Sequence, residues 1–364
     1  MKNKIESLQI LRGLAALSVV LYHYNLYLAP NGQDRAIPDM LFGWGAIGVD
    51  LFFVISGFIM VYVTYNRPPG MSTSFEFVIN RLVRVLPTYY AILFLTLLSI
   101  GSIGVIFNLE SDPNIYSALT FQPYINDTAP LYVPGSGLYN IRWTLNYELY
   151  FYIAFAVCLI FKPRIAILSI WFIAPMVIAY SMTNNFTLST HGYELGSTKL
   201  RFITNPIIFE FGIGVLAGMF YFKLKENRYL SSGFISLSCF ISVAFLIATG
   251  SLKAYSIISA IAFFFVVLFF SIQSDKIVKI TPRFFIVLGN ISFSWYLIHT
   301  PLLYIASLKF DKYYPGAINS FSGFGILLAL SIFLAWISHR YLEIVLTRKI
   351  KTFITNGFYY KSKA

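Results

Sequence analysis

Apolar runs recur along almost the whole chain, and they constrain its fold more than any other feature. At about 18 to 23 residues each, they can cross a hydrocarbon layer of roughly 30 Å as helices. Backbone groups in lipid must find partners within their own segment, so such runs are expected to be helical. Ten runs are evident, at roughly 6–28, 43–65, 87–107, 143–161, 165–182, 206–222, 232–250, 254–272, 285–306 and 322–342. The expected fold class is all-α, a polytopic transmembrane helical bundle of about ten spans. Only 12% of residues are charged and 57% are hydrophobic, against roughly 25% charged in a soluble domain. A soluble globular fold is thereby excluded.

The side of the membrane follows from where lysine and arginine fall. With the N-terminus in the cytoplasm and the spans alternating, 20 of the 27 lysines and arginines lie inside and 7 outside. Both termini are then cytoplasmic, and the net charge of +12 is a matter of membrane orientation, with no nucleic-acid partner implied. The first run is not read as a cleaved signal peptide, because Arg12 interrupts it and further spans follow. One transmembrane domain is expected over 1–345, with a cytoplasmic basic tail over 346–364. Cys158 and Cys239 fall inside separate apolar runs and read as core residues. The longest external loops, about 108–142 and 183–205, are expected outside the membrane. The first is rich in proline and tyrosine (Pro113, Tyr116, Tyr124, Tyr132, Pro134, Tyr139) and is expected to pack as a cap.

Ionisable residues inside spans cost a few kcal/mol each on insertion scales and are therefore functional candidates. Arg12 and His23 lie on one face of the first span, roughly 16 Å apart along its axis. Asp50 sits in the second span within GVDLFFVISGF. Arg81 and Arg84 are three apart, on one face of a helix entering the membrane, and paired guanidiniums suit a phosphate ligand. Glu148 stands among Trp143, Tyr147 and Tyr152; an aromatic belt explains the rings but not the carboxylate. His299 approaches the outer side in the ninth span. By depth alone, His23, Asp50, Glu148 and His299 fall in the outer half, and Arg12, Arg81 and Arg84 at the inner side. The pattern is a two-ended site: a basic mouth inside, and a proton-handling centre toward the outside.

In this order and spacing the motifs resemble the acyltransferase-3 family of integral membrane O-acyltransferases over essentially the whole chain. The resemblance rests on Arg-x10-His (Arg12, His23), the block around Asp50, Arg-x-x-Arg-x-x-Pro (Arg81, Arg84, Pro87) and Trp-x4-Glu (Trp143, Glu148). ISFSWYLIH near His299 and Tyr341 to Glu343 are similar to later family signatures. Glu343 departs from the family in being followed by Ile344 and Val345, where Lys-Pro is common. The type without an appended hydrolase-like domain, as in O-antigen and exopolysaccharide O-acetyltransferases, is the nearest resemblance.

The resemblance implies acetyl-CoA as acyl donor, no metal, and a hydroxyl of an extracytoplasmic glycan or lipid-linked sugar as acceptor, most readily lipopolysaccharide O-antigen or exopolysaccharide. It implies a protein of the bacterial inner membrane, in contact with its lipid. Arg81 and Arg84, with Arg12, would hold the donor phosphates. His23 would be the general base, or accept the acyl group, with Glu148 or Asp50 orienting it. Trp143, Tyr147 and His299 would contact the substrate. The rival from another class is a transporter of an anionic or sugar-linked solute, which would also line a path with Arg12, His23 and Glu148 but has no particular need of the Arg81–Arg84 pair.

Overall fold

Each of the ten apolar runs overlaps a helix in the computed structural model, which describes residues 4–29, 34–102, 113–123, 129–133 and 141–361. No strand occurs among the described residues. The first half comprises α1 (Ser7–Leu28), α2 (Ala36–Phe42), a 3-10 turn (Gly43–Ile47), α3 (Gly48–Thr64), α4 (Met71–Ser99), α5 (Pro113–Thr120), α6 (Arg142–Ile160) and α7 (Arg164–Thr183). The second comprises α8 (Thr198–Ile203), α9 (Ile208–Leu224), α10 (Gly233–Ala248), α11 (Ile257–Ile272), α12 (Ser274–Ile280), α13 (Arg283–Tyr313), α14 (Phe321–Ser338) and α15 (Thr347–Lys361). A π-helical turn, His339–Leu346, joins α14 to α15.

Among the described residues, seven helical segments are long and apolar enough to cross a membrane, and α11 with α12, bent by 88°, supplies an eighth if the pair is one span. The 16-residue α10 is shorter, and α1 falls outside the set despite its 22 residues. The reason lies in its surroundings. Gln9, Arg12, His23 and Asn25 lower its hydropathy, and α1 tolerates them because α3, α13 and α14 wall it from lipid. The expected basic tail is helical as far as it is described, in α15.

Close helix approach builds this interior. A methyl group added at Gly289 in α13 would lie 1.8 Å from the carbonyl oxygen of Gln9, so only glycine lets α13 meet α1 there. Gly214 plays the same part between α9 and α3, where a Cβ would sit 2.1 Å from the Val54 carbonyl.

The helix α4 begins 16 residues before the apolar run that was expected to enter the membrane at 87, and it passes through Pro87. Proline at 87 leaves the carbonyl of Val83 without its helical donor. The hydroxyl of Thr347, at the start of α15, donates to that oxygen at 3.4 Å. The same hydroxyl also reaches the Leu342 carbonyl at 3.2 Å, so its one proton is shared and the exception is repaired only in part from a neighbouring helix.

The loops expected together on one side do meet. Thr190 donates to the Tyr255 carbonyl at 2.7 Å, and Asn205 donates to the Tyr132 hydroxyl at 2.8 Å. Ile115, Ala118, Tyr132 and Val133 of the aromatic loop are buried against the bundle. Tyr124, Pro134 and Tyr139 lie outside the described residues. At the opposite end Ser74 donates to the Ala156 carbonyl and Arg164 to the carbonyls of Thr64 and Arg67.

Candidate active site

The N-terminal end of α1 opens into a basic cavity. Arg12 from α1, Arg81 and Arg84 from α4, Glu148 and Tyr152 from α6, and Ser292 and Tyr296 from α13 line a space of about 90 Å³. A wider cavity of about 990 Å³ shares Arg12, Ile59 and Arg84 with it and passes Lys4, Arg67, Asn290, His339 and Glu343. A third, of about 270 Å³, lies on the other flank of Arg81 and Arg84.

Three guanidiniums therefore converge on connected space. Arg12 donates to Gln9 Oε1 at 3.4 Å. Arg81 lies over the rings of Phe77 and Tyr152, 5.4 and 5.7 Å from their centroids, which orients it without neutralising it. Arg67 makes a bidentate pair with Glu76 at 3.0 and 3.1 Å. Tyr152 donates to Glu148, four residues earlier on the same helix. At the rim Lys4 donates to Asn290 Oδ1 at 2.7 Å. Partial burial, and then the positive charge of Arg12, hold the Lys4 pKa below its ordinary value. Crowded cations with a depressed lysine mark these cavities as a candidate functional site.

The other end of α1 carries a pair of histidines. His23 is half-buried and His299, from α13, is fully buried. Their rings meet at a centroid distance of 5.0 Å, with His299 Nε2 3.4 Å from His23 Nδ1. His23 Nδ1 also lies 2.9 Å from the Val19 carbonyl, and His299 Nδ1 3.3 Å from that of Trp295. Tyr296 links the two ends, lining the basic cavity while its ring sits 5.5 Å from that of His299. Its hydroxyl is 2.8 Å from that of Thr144.

The four residues expected at one depth separate into three places. His23 and His299 form the pair just described. Glu148 belongs with the arginines, because helix α6 turns it into their cavity beside Tyr152. Asp50 is fully buried and accepts the backbone N–H groups of Tyr255 and Ser256, both at 2.9 Å, at the start of α11. Its carboxyl neighbour is Glu210 of α9, also fully buried. Glu210 was not singled out from the sequence, although an ionisable side chain within the run 206–222 meets the same criterion as Asp50.

Trp143 and Tyr147 are buried in an aromatic cluster with Phe53, Phe202 and Tyr255. Tyr147 donates to the Phe202 carbonyl at 3.0 Å. Neither side chain lines the basic cavities. Glu343 sits on the π-helical turn, 3.2 Å from His339 Nδ1, and accepts from Ser294 N–H and Oγ–H at 3.0 and 2.5 Å. It faces the wider cavity. Among the described residues no group of three or more histidine, cysteine or acidic side chains is placed to hold a metal ion.

A cation-lined cavity at one end of α1 is thus joined by Tyr296 to the His23–His299 pair at the other. The acyltransferase domain of the acyltransferase-3 family matches residues 5–340. The chain belongs to this family. It is an O-acyltransferase with several helices fit to span a membrane. Among curated proteins it is similar to the exopolysaccharide production protein ExoZ of Rhizobium meliloti (strain 1021), 30% identical over 268 residues, which cover 70% of this chain and 76% of ExoZ. A shorter match, 35% over 95 residues, covers 25% of this chain and 13% of YrhL of Bacillus subtilis (strain 168), named as a peptidoglycan O-acetyltransferase. No solved structure matches the chain.

Proposed function

We propose that this acyltransferase moves an acetyl group from cytoplasmic acetyl-CoA to a hydroxyl of an extracytoplasmic polysaccharide, in the bacterial inner membrane. The observation that carries the reading is the position of the two ends of α1: three guanidiniums around connected cavities at one, and His23 roughly 16 Å along the same helix at the other. Ten spans, with both termini in the cytoplasm, put the basic cavities on the side where the donor is made. The loops that meet around Tyr132, Thr190 and Tyr255 then face outward.

Arg81 and Arg84 hold the donor phosphates, as planar forked donors suit. Arg12 and Lys4 add charge. The pantetheine arm, roughly 15–20 Å when extended, spans from that mouth past Tyr296 to His23. His23 takes the proton of the acceptor hydroxyl as its oxygen bonds to the thioester carbonyl carbon. The carbon–sulfur bond breaks, and the leaving thiolate receives the proton. Glu148 fixes Tyr152 beneath Arg81 and so shapes the donor mouth. Asp50 anchors the start of α11. Similarity to a protein named for exopolysaccharide production favours a polysaccharide acceptor, whether exopolysaccharide or O-antigen.

Deleting the gene and restoring it as wild type or His23→Ala, at matched membrane levels, tests this reading. Proton NMR of purified surface polysaccharide is expected to lose its O-acetyl signals on deletion, regain them with wild type, and not with His23→Ala. Polysaccharides and small molecules that keep all acyl groups in the deletion strain would overturn it.

A further inference from the structure

The histidine pair carries an inference beyond the binding of the donor. A backbone carbonyl can only accept a hydrogen bond, so each ring nitrogen facing one must carry its proton there. The Trp295 carbonyl thus holds the proton of His299 on Nδ1, which leaves His299 Nε2 as a lone pair. The Val19 carbonyl, at 2.9 Å, holds the proton of His23 on Nδ1. The same N–H has His299 Nε2 as a second acceptor at 3.4 Å. The tautomer of His23 is thereby set, and its Nε2 is left unprotonated.

We propose that His299 is the positioning residue for His23, taking the place that a carboxylate fills in a serine–histidine–aspartate triad. The proposal rests on the reading of His23 as general base and gives His299 a different task from contact with the substrate. In the resting pair, His299 Nε2 and the Val19 carbonyl steer the His23 ring. When the acceptor hydroxyl passes its proton to His23 Nε2, the resulting imidazolium keeps its Nδ1 proton shared between the Val19 carbonyl and His299 Nε2, and the Nε2 proton goes on to the departing thiolate. The sum is alcohol plus acyl thioester giving ester plus thiol, with no proton left on the enzyme. Neither candidate carboxylate stands in this position: Asp50 accepts from the α11 amides, and Glu148 from Tyr152. A neutral acceptor also spares the interior an unbalanced buried charge once His23 has returned its proton. Tyr22, edge-on to His23 at 5.3 Å, and Tyr296 beside His299 are the titratable side chains packed on the two rings.

The test uses the full chain in detergent or nanodiscs. Acetyl-CoA is the donor, and the acceptor is surface polysaccharide from the deletion strain. His299→Ala is expected to lower kcat about 100-fold, the lower bound for general-base effects, with KM for acetyl-CoA within twofold. His299→Gln returns an acceptor oxygen near the position of Nε2 and is expected to recover at least tenfold of that loss. The acid limb of the pH profile is expected to move to lower pH in His299→Ala, because the imidazolium of His23 has lost an acceptor. Activity of His299→Ala within twofold of wild type overturns the proposal, as does equal loss in both variants with an unmoved pH profile, the mark of a merely structural role. Nitrogen-15 spectra of the wild-type histidines give a check independent of any variant: a His23 ring protonated at Nε2 in the resting protein rules the proposal out. Absence of acyl transfer by the wild type to any acceptor would instead sink the underlying reading.

Discussion

The two ends of α1 are built on opposite principles. At Arg12 the cavity is wide, charged and joined to further space, and its guanidiniums are oriented by aromatic rings and Gln9. At His23 there is a tight ring pair, held by backbone carbonyls and by His299. The contrast suits the tasks proposed for them. Capturing a multiply charged phosphate carrier needs strong fields that solvent can reach, so the ligand can enter and leave. Moving one proton needs a fixed lone pair in a site that water does not fill. Substitutions at the two ends are therefore expected to separate kinetically.

The largest effect is expected at the histidine end. His23→Ala should reduce acyl transfer by about 1,000-fold or more, within the range of general-base catalysis, while equilibrium binding of acetyl-CoA to purified protein stays within twofold. Weakened donor binding of similar size would merge the two ends into one. The complementary change, Arg81→Ala with Arg84→Ala, should raise KM for acetyl-CoA roughly 30- to 100-fold, taking about 1 kcal/mol or more for each charge-assisted contact. The effect on kcat should be under tenfold, and the donor affinity of the wild type should fall with added salt more steeply than that of the variant.

A smaller effect sharpens the comparison by leaving both ends intact. Asp50→Ala strips the acceptor from the N–H groups of Tyr255 and Ser256, which costs about 1–3 kcal/mol per unsatisfied buried group. A lower thermal midpoint in detergent is expected, with residual activity in step with the folded fraction. A specific loss of kcat in fully folded Asp50→Ala would instead return Asp50 to the catalytic end. The smallest effect belongs to Lys4, whose pKa is held down by partial burial and Arg12. A bound phosphate favours the charged ammonium and raises that pKa toward its ordinary value, so donor binding in alkaline buffer should take up protons. Calorimetry in buffers of different ionisation enthalpy would read this uptake, and Lys4→Gln should abolish it while raising KM only about twofold, as expected for a single charge at the rim that solvent still screens.

Much of this was legible before any coordinates. The helices lie where the apolar runs lie, because lipid leaves a backbone no other way to satisfy itself. Arg12, Arg81 and Arg84 do converge, since charges along one helix face and near the ends of neighbouring spans have few other places to go. Depth could also be read, by counting residues along each span. Direction around each helix could not. His23, His299, Asp50 and Glu148 share a depth on paper, yet Glu148 turns into the arginine cavity and Asp50 toward Glu210 and the amides of α11. Trp143 and Tyr147, chosen for their place beside Glu148, spend their surface on aromatic packing.

What the sequence determined by itself is the helical membrane class, the set of costly ionisable residues and their sorting along each helix, because hydropathy and rise per residue are local quantities. Which side chains meet was decided only by tertiary structure. It depends on the rotation and closeness of whole helices, set by contacts such as Gly289 against Gln9 and Gly214 against Val54. Those contacts join residues far apart in the chain, and no local pattern encodes the angle at which they bring His299 against His23.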